Sequence, residues 1–151
     1  MSTALNIAHT PAFASDKPAR GLPIALWIVQ ILLALIFGFA GAMKVFTPIE
    51  ELAKNAAWIR DSELLIRFIG ISELSGALGM LLPSLTRIKP KLTSLAAVGL
   101  FTIMVLATGF HLMRGEAKFT PMTLAIAALA AFVAWGRFRK APIAARTAGT
   151  K

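Results

Sequence analysis

Cysteine is absent from the 151 residues of the sequence. This absence excludes disulfide exchange, thiolate catalysis and thiolate-ligated metal centres from anything the chain does alone. Charged residues are also scarce, at 15% of the chain, whereas hydrophobic residues make up 57%. With a mean hydropathy of +0.73, this composition is typical of a membrane protein rather than a soluble domain. Any redox chemistry would therefore need a bound cofactor.

The net charge of +9 comes largely from basic residues that flank long apolar runs. In a soluble protein such an excess would suggest nucleic acid as a partner. At the ends of apolar runs it is better explained by orientation in a membrane. We therefore predict contact with the lipid bilayer and no nucleic-acid partner.

Both ends of the chain differ in composition from the apolar middle. Residues 1–21 are polar, contain prolines and show no helical or strand period, which predicts a mobile tail. They also lack the apolar core of a signal peptide. Residues 137–151, RFRKAPIAARTAGTK, are predicted to form a second, basic tail.

Four apolar runs predict transmembrane helices, because about 20 apolar residues cross roughly 30 Å of hydrocarbon. The first run exceeds the apolar core of a signal peptide, which favours a retained span over a cleaved signal. We expect Pro83 to stop the second helix. The predicted fold is an all-α, four-helix transmembrane bundle over residues 22–136, with helices at about 22–44, 64–82, 92–113 and 120–136.

A short amphipathic segment separates the first two predicted spans. Pro48 and the acidic pair Glu50 and Glu51 are typical of a helix start, and apolar residues then recur at helical spacing at Ile49, Leu52, Ala56 and Ile59. With Trp58 as an interfacial anchor, this pattern predicts a helix at the membrane surface. An ordinary solvated helix is the alternative.

Orientation follows from the lysines and arginines on each side of the spans. Ten flank the side that carries both termini and the turn between the second and third spans, whereas six flank the other side. The positive-inside rule therefore predicts that both termini are cytoplasmic.

The second apolar run, RFIGISELSGALGMLLP, carries a carboxylate at Glu73. Gly70, Gly76 and Ala77 share its helical face, so Glu73 is predicted to face a neighbouring helix rather than lipid. A carboxylate at that depth must be protonated, hydrogen-bonded or paired with a cation. Glu73 can bind a ligand or carry a proton, or it can belong to a structural ion pair or hydrogen bond that fixes helix packing.

Three further residues are candidate partners of Glu73 in one polar pocket that opens to the outer face. Lys44 ends the first span, His111 lies near the outer end of the third, and Gln30 lies deeper on the first. Lys44 can also be a helix-end lysine that snorkels, and His111 is a single imidazole unsuited to a bis-histidine haem site. Arg67 is expected to stay outside the pocket. No metal site is predicted.

The motifs GAMKVF, GISELSGALGMLLP with its Gly-x-x-Glu core, and FHLMRGE occur in this order at the ends or centres of the spans. In this respect the sequence resembles the DoxX-like family of small four-helix bacterial membrane proteins over roughly residues 24–136. The resemblance implies a place in the bacterial cytoplasmic membrane and a link to quinone-dependent sulfur oxidation or to membrane complexes that handle oxidative stress. It places the family's polar positions on Lys44, Glu73 and His111, while the lack of cysteine argues against direct thiol or sulfur transfer.

Three functions are compatible with these features. The first is an accessory subunit, not an enzyme on its own, that binds a quinone-like or other small amphipathic ligand beside redox partner proteins. The second is a scaffold that recruits partners through its basic tails, and the third is a small proton-coupled transporter. The transporter is disfavoured because the first span contains Gln30 but no acidic residue. Each is compatible with a homo-oligomer.

Overall fold

The computed structural model describes residues 21–54 and 56–146. The first predicted tail lies outside these residues except for Gly21, whereas only residues 147–151 of the second lie outside them. The described α-helices are α1 (Gly21–Phe46), α2 (Ile49–Ala53), α3 (Glu63–Thr86), α4 (Lys91–Met113) and α5 (Thr120–Trp135). Short 3₁₀ helices at Ala57–Ser62 and Ala117–Phe119 precede α3 and α5, and a π-helix at Gly136–Lys140 extends α5.

Four helical segments in the described part of the chain are long and apolar enough to cross a membrane: Gly21–Phe46, Ala57–Thr86, Lys91–Met113 and Ala117–Lys140. They confirm the predicted all-α, four-helix transmembrane bundle. The predicted short helix between the first two spans is present as α2.

Apolar side chains divide between the bundle interior and its outer surface. The core is built around Leu33, Phe37, Met80, Leu100 and Val133, all of which are buried. Many large apolar side chains elsewhere on the spanning helices are exposed, as is expected of surfaces that face lipid.

Helices α1 and α3 run antiparallel and approach closely at Gly41 and Gly70. A Cβ atom built on Gly41 would lie 2.8 Å from the Gly70 carbonyl oxygen, so the crossing requires glycine. Small residues allow such backbone approach, which is a principal source of packing energy between helices in lipid. The crossing fixes the relative position of residues a few positions along either helix.

The prediction that Pro83 stops the second helix is wrong. Pro83 lies inside α3, which continues to Thr86 and ends before Arg87 in a left-handed conformation. Proline removes one helical hydrogen bond, but neighbouring helices can support the backbone around it inside a membrane. Here Gln30 of α1 donates to the Met80 carbonyl, three residues before the proline, and to Ser84, directly after it.

The end of the last helix also differs from the prediction. The chain does not become a tail at residue 137, because the helix widens into the π-helix Gly136–Lys140. Arg137 is buried within it, at 6% exposure. At the start of this π-helix, Gly136 packs against α1, because the side chain of Leu26 occupies the space that a Cβ atom on Gly136 would need.

Candidate functional site

Lys44 and Glu73 form an ion pair between α1 and α3. The Lys44 ammonium donates to Glu73 Oε2 at 2.7 Å. The Glu73 side chain is 4% exposed and that of Lys44 is 29% exposed, so the pair connects a buried carboxylate to a partly accessible cation. Among the described residues, no hydrogen bond reaches Glu73 Oε1.

The local backbone explains why the pair forms at this position. A Cβ atom on Gly70 would lie 2.7 Å from the Lys44 Cβ, so Lys44 packs over Gly70, and Glu73 lies three residues further along the same face of α3. Arg67 donates to the carbonyl oxygens of Lys44, Val45 and Thr47 at 2.7–3.0 Å. These carbonyls lack helical partners at the end of α1, and Arg67 therefore holds that end against α3.

Arg67 also contacts Glu63 at 3.3 Å, four residues earlier on α3, as expected for a surface pair. It makes no ion pair with Glu73 among the described residues, so its predicted separation from the carboxylate agrees with the structure. Its backbone contacts to α1 were not anticipated from the sequence. Arg67 acts here as a support for the helix end that presents Lys44.

Gln30 does not join Lys44 and Glu73. Fourteen residues separate Gln30 from Lys44 along α1, or about 21 Å of helix. Gln30 is instead buried in a second polar group at the end of the bundle that holds the start of α1. We call this group the Gln30–Arg137 cluster, and it consists of Gln30, Ser84, Thr93 and Arg137.

Hydrogen bonds link four helical segments in the Gln30–Arg137 cluster. Arg137 Nε donates to Gln30 Oε1 at 2.6 Å, and Gln30 Nε2 donates to Ser84 Oγ at 3.2 Å. The hydroxyls of Ser84 and Thr93 are 2.7 Å apart. The cluster is therefore a continuous buried network from the π-helix through α1 and α3 to α4.

Arg137 was not identified from the sequence as a buried residue. Its motif, RFRK, closes an apolar run and is typical of basic residues that flank a span. The only residue beside it that hints at close packing is Gly136, which on its own is too common in membrane helices to predict a site.

His111 belongs to a third group, at the loop end of the bundle. Its Nδ1 donates to Glu116 Oε2 at 2.8 Å, and Arg114 Nε donates to Glu116 Oε1 at 3.3 Å. Arg114 also lies over the Trp58 ring, which packs against Phe110 with ring centroids 4.9 Å apart. No hydrogen bond or ion pair of the described residues joins His111 to Lys44 or Glu73.

Glu116 lies outside the membrane-spanning segments, and its environment favours the ionised form. The hydrogen bond from His111 has the largest effect and lowers the pKa of the carboxyl below its usual value. Partial burial opposes this shift, and Arg114 adds to it. His111, Arg114 and Glu116, which we call the loop group, therefore hold residues 111–116 together, and Trp58 packs against them.

The structure separates the four predicted site residues into three places. Lys44 and Glu73 come together, Gln30 contributes to the other end of the bundle, and His111 pairs in a loop. Within residues 21–54 and 56–146, no group of three metal-ligating His, Asp or Glu side chains occurs. The Lys44–Glu73 pair is therefore the candidate site that the predicted residues retain.

The fold and the buried pair between two spans define a small polytopic helical membrane protein. The model of the DoxX-like family matches residues 28–133, most of the bundle, and the chain belongs to this family. Comparisons with curated proteins and with solved structures gave no match. The matched segment contains Lys44, Glu73 and His111 and ends before Arg137.

Proposed function

We propose that the chain is an accessory subunit of a bacterial redox or oxidative-stress complex and binds a quinone-like or other small amphipathic ligand at the Lys44–Glu73 pair. In this proposal both termini are cytoplasmic, and the chain is not an enzyme on its own. The observation that carries the proposal is a buried carboxylate whose cationic partner remains partly accessible.

The chemistry of the pair suits a ligand with carbonyl or hydroxyl groups. A lysine ammonium has three donors, and one of them bonds to Glu73 Oε2. The remaining donors are available for a carbonyl oxygen of a quinone ring. A ligand hydroxyl can in turn donate to Glu73 Oε1, which accepts no hydrogen bond from the described residues.

The surroundings of the pair suit the apolar part of such a ligand. Phe46 and Phe68, at the adjoining ends of α1 and α3, are 78% and 65% exposed. Exposed aromatic side chains at the membrane boundary can contact a ring or an isoprenoid tail that enters from the lipid. Ligand sites in helical bundles typically combine such apolar surfaces with a few polar groups.

Quinone retained after gentle purification from the native membrane tests the proposal. We expect wild type to carry quinone and Glu73→Gln to carry about tenfold less, because a charge-assisted contact to the ligand is lost. Glu51→Gln is the matched control, since Glu51 forms an exposed pair with Lys54 at 2.6 Å.

Equal quinone content in wild type, Glu73→Gln and Glu51→Gln would contradict the proposal. If partner proteins remained bound in all three without any ligand, the scaffold would be the better interpretation. Proton-driven uptake in vesicles that Glu73→Gln abolishes would instead favour the transporter.

A further inference from the structure

Arg137 presents an unmatched buried charge. It is 6% exposed, and its Nη2 is buried and donates to no described residue. Its Nε donates to Gln30, and its Nη1 donates to the Ala141 carbonyl at 3.3 Å. Both acceptors are neutral, so the described residues supply hydrogen bonds to the guanidinium but no negative charge.

The charge of this end of the bundle makes the mismatch larger. Seven lysines and arginines of the described residues lie here: Arg87, Lys89, Lys91, Arg137, Arg139, Lys140 and Arg146. The described aspartates and glutamates lie within α3 or at the opposite end. A buried cation without a counter-charge is costly, and a nearby anion would recover much of that cost.

A surface groove adjoins the Gln30–Arg137 cluster. Its volume is about 490 Å³, and it is lined by Trp27, Ser84, Leu85, Arg87, Ile143 and Ala144. Trp27 and Ser84 belong to both places: the Trp27 ring lies 5.3 Å from the Arg137 guanidinium, and Ser84 bonds to Gln30. The groove therefore leads from the surface to the immediate neighbours of the unmatched charge.

The segment after the π-helix forms one wall of the groove. Ala141 accepts the Nη1 hydrogen bond, Ile143 and Ala144 line the groove, and the Arg146 amide donates to the Arg87 carbonyl at 3.0 Å. These contacts hold residues 141–146 across the ends of α3 and α5. Contacts within the chain therefore form the groove, and its walls are both apolar and cationic.

We propose that this groove binds a phosphate group, with Arg137 as its buried anchor and Arg87 at its mouth. Arginine matches the geometry of phosphate oxygens. The buried Nη2, which has no acceptor among the described residues, is the donor that a phosphate moving inward from the groove past Trp27 and Ser84 would reach. The groove lies at the end of a membrane span, where phosphates of anionic lipids are concentrated and attract basic residues. The group can belong to a lipid headgroup or to free phosphate, and the site is separate from the Lys44–Glu73 pair.

Trp27 provides a direct readout of occupancy. The probe is the full chain with Trp58→Phe and Trp135→Phe, which leaves Trp27 as the single tryptophan, in a maltoside detergent free of phosphate. Short-chain phosphatidylglycerol and inorganic phosphate are titrated separately. We expect a saturable change in Trp27 emission, and the titrant that produces it identifies the source of the phosphate.

Two site variants and one control sharpen the result. Arg137→Gln removes the anchor and should weaken binding at least about tenfold, as expected for the loss of a charge-assisted contact. Gln30→Glu keeps Arg137 but supplies a carboxylate at the atom now 2.6 Å from its Nε, so it should compete with the ligand even if Arg137→Gln folds poorly. Arg139→Gln removes the same charge from an exposed position and should bind as wild type.

The proposal is overturned if neither titrant changes Trp27 emission saturably. It is equally overturned if Gln30→Glu binds as tightly as wild type, or if Arg139→Gln weakens binding as much as Arg137→Gln, because the response would then reflect general surface charge. Glu73→Gln should leave this binding unchanged, which distinguishes it from the proposed quinone site.

Discussion

The two ends of the bundle handle buried charge in opposite ways. At one end, Glu73 is matched by Lys44 at 2.7 Å, and the pair carries no net charge. At the other end, Arg137 is held by Gln30 and a backbone carbonyl, both of which are neutral. The first arrangement is complete within the described chain, whereas the second has a donor without an acceptor.

This difference separates two kinds of site. A matched pair can hold helices together. It can also exchange one of its contacts for a ligand that carries hydrogen-bond donors or acceptors. An unmatched cation selects for a ligand of opposite charge. The comparison predicts that variants at the two ends will differ in their effect on stability and in the ligand that each one loses.

Breaking the matched pair from the lysine side should have the largest effect on stability. Lys44→Met leaves Glu73 buried without its cation, and we expect a loss of about 3 kcal/mol in the free energy of unfolding. Unfolding in mixed detergent micelles measures it. The control Lys54→Met breaks an exposed pair with Glu51 and should cost less than about 1 kcal/mol.

The double variant Lys44→Met with Glu73→Met should recover most of the loss, because no unpaired charge remains. A Lys44→Met variant as stable as Lys54→Met would show that the fold tolerates a buried Glu73 without Lys44 as its cation.

The close crossing beside the pair should tolerate little added volume. Gly41→Ala places a methyl group against the Gly70 carbonyl, and we expect a loss of about 2 kcal/mol because backbone must shift. Gly99→Ala meets nothing within 4 Å and should be neutral or stabilise its helix by up to about 1 kcal/mol. The same unfolding assay compares them, and equal stabilities would mean that the crossing can open at no cost.

The Gln30–Arg137 cluster should lose less stability than the Lys44–Glu73 pair when one of its members is replaced. Gln30→Leu removes the acceptor for Arg137 and the donor to Ser84, which should cost about 1–2 kcal/mol. Gln30→Glu should retain more stability than Gln30→Leu at neutral pH, because a carboxylate can pair with Arg137. The opposite order in thermal unfolding would mean that Arg137 is already paired with an anion.

Replacing Glu116 should have the smallest effect, and acid unfolding should reveal it. Because the folded pKa of Glu116 is lowered, its contribution to stability is present above the usual carboxyl pKa and is lost as the pH falls through the lowered value. Glu116→Gln should therefore show a shallower loss of stability below about pH 4.5 than wild type. Parallel acid unfolding curves for the two proteins would contradict this assignment.

The sequence predicted the spans and one of the two networks. Apolar runs of membrane length specify helices directly, because lipid offers the backbone no other hydrogen-bond partners. Glu73 could be found because a carboxylate in an apolar run needs a partner, and Lys44 was the cation at the end of the preceding span. The pairing of these two residues therefore follows from elementary electrostatics.

The Gln30–Arg137 cluster could not be found in the same way. Its key bond joins residues 107 positions apart, and the π-helix that turns Arg137 inwards has no signature in RFRK. Gln30 was recognised as an unusual residue but was assigned to the wrong end, because helical periodicity gives the face of a helix and not the partner at each depth. Likewise, Pro83 predicted a helix end, but α3 continues to Thr86, with Gln30 of α1 bonded on both sides of the proline.

Native mass spectrometry of wild type, Glu73→Gln and Arg137→Gln, each released gently from the native membrane, tests most directly whether the two ends are separate sites. We expect Glu73→Gln to lose a quinone-like ligand and to keep bound phosphate or anionic phospholipid, while Arg137→Gln shows the reverse. If both variants lost the same ligand, or if neither lost one, the division of the bundle into a matched pair and an unmatched cation with different ligands would be wrong.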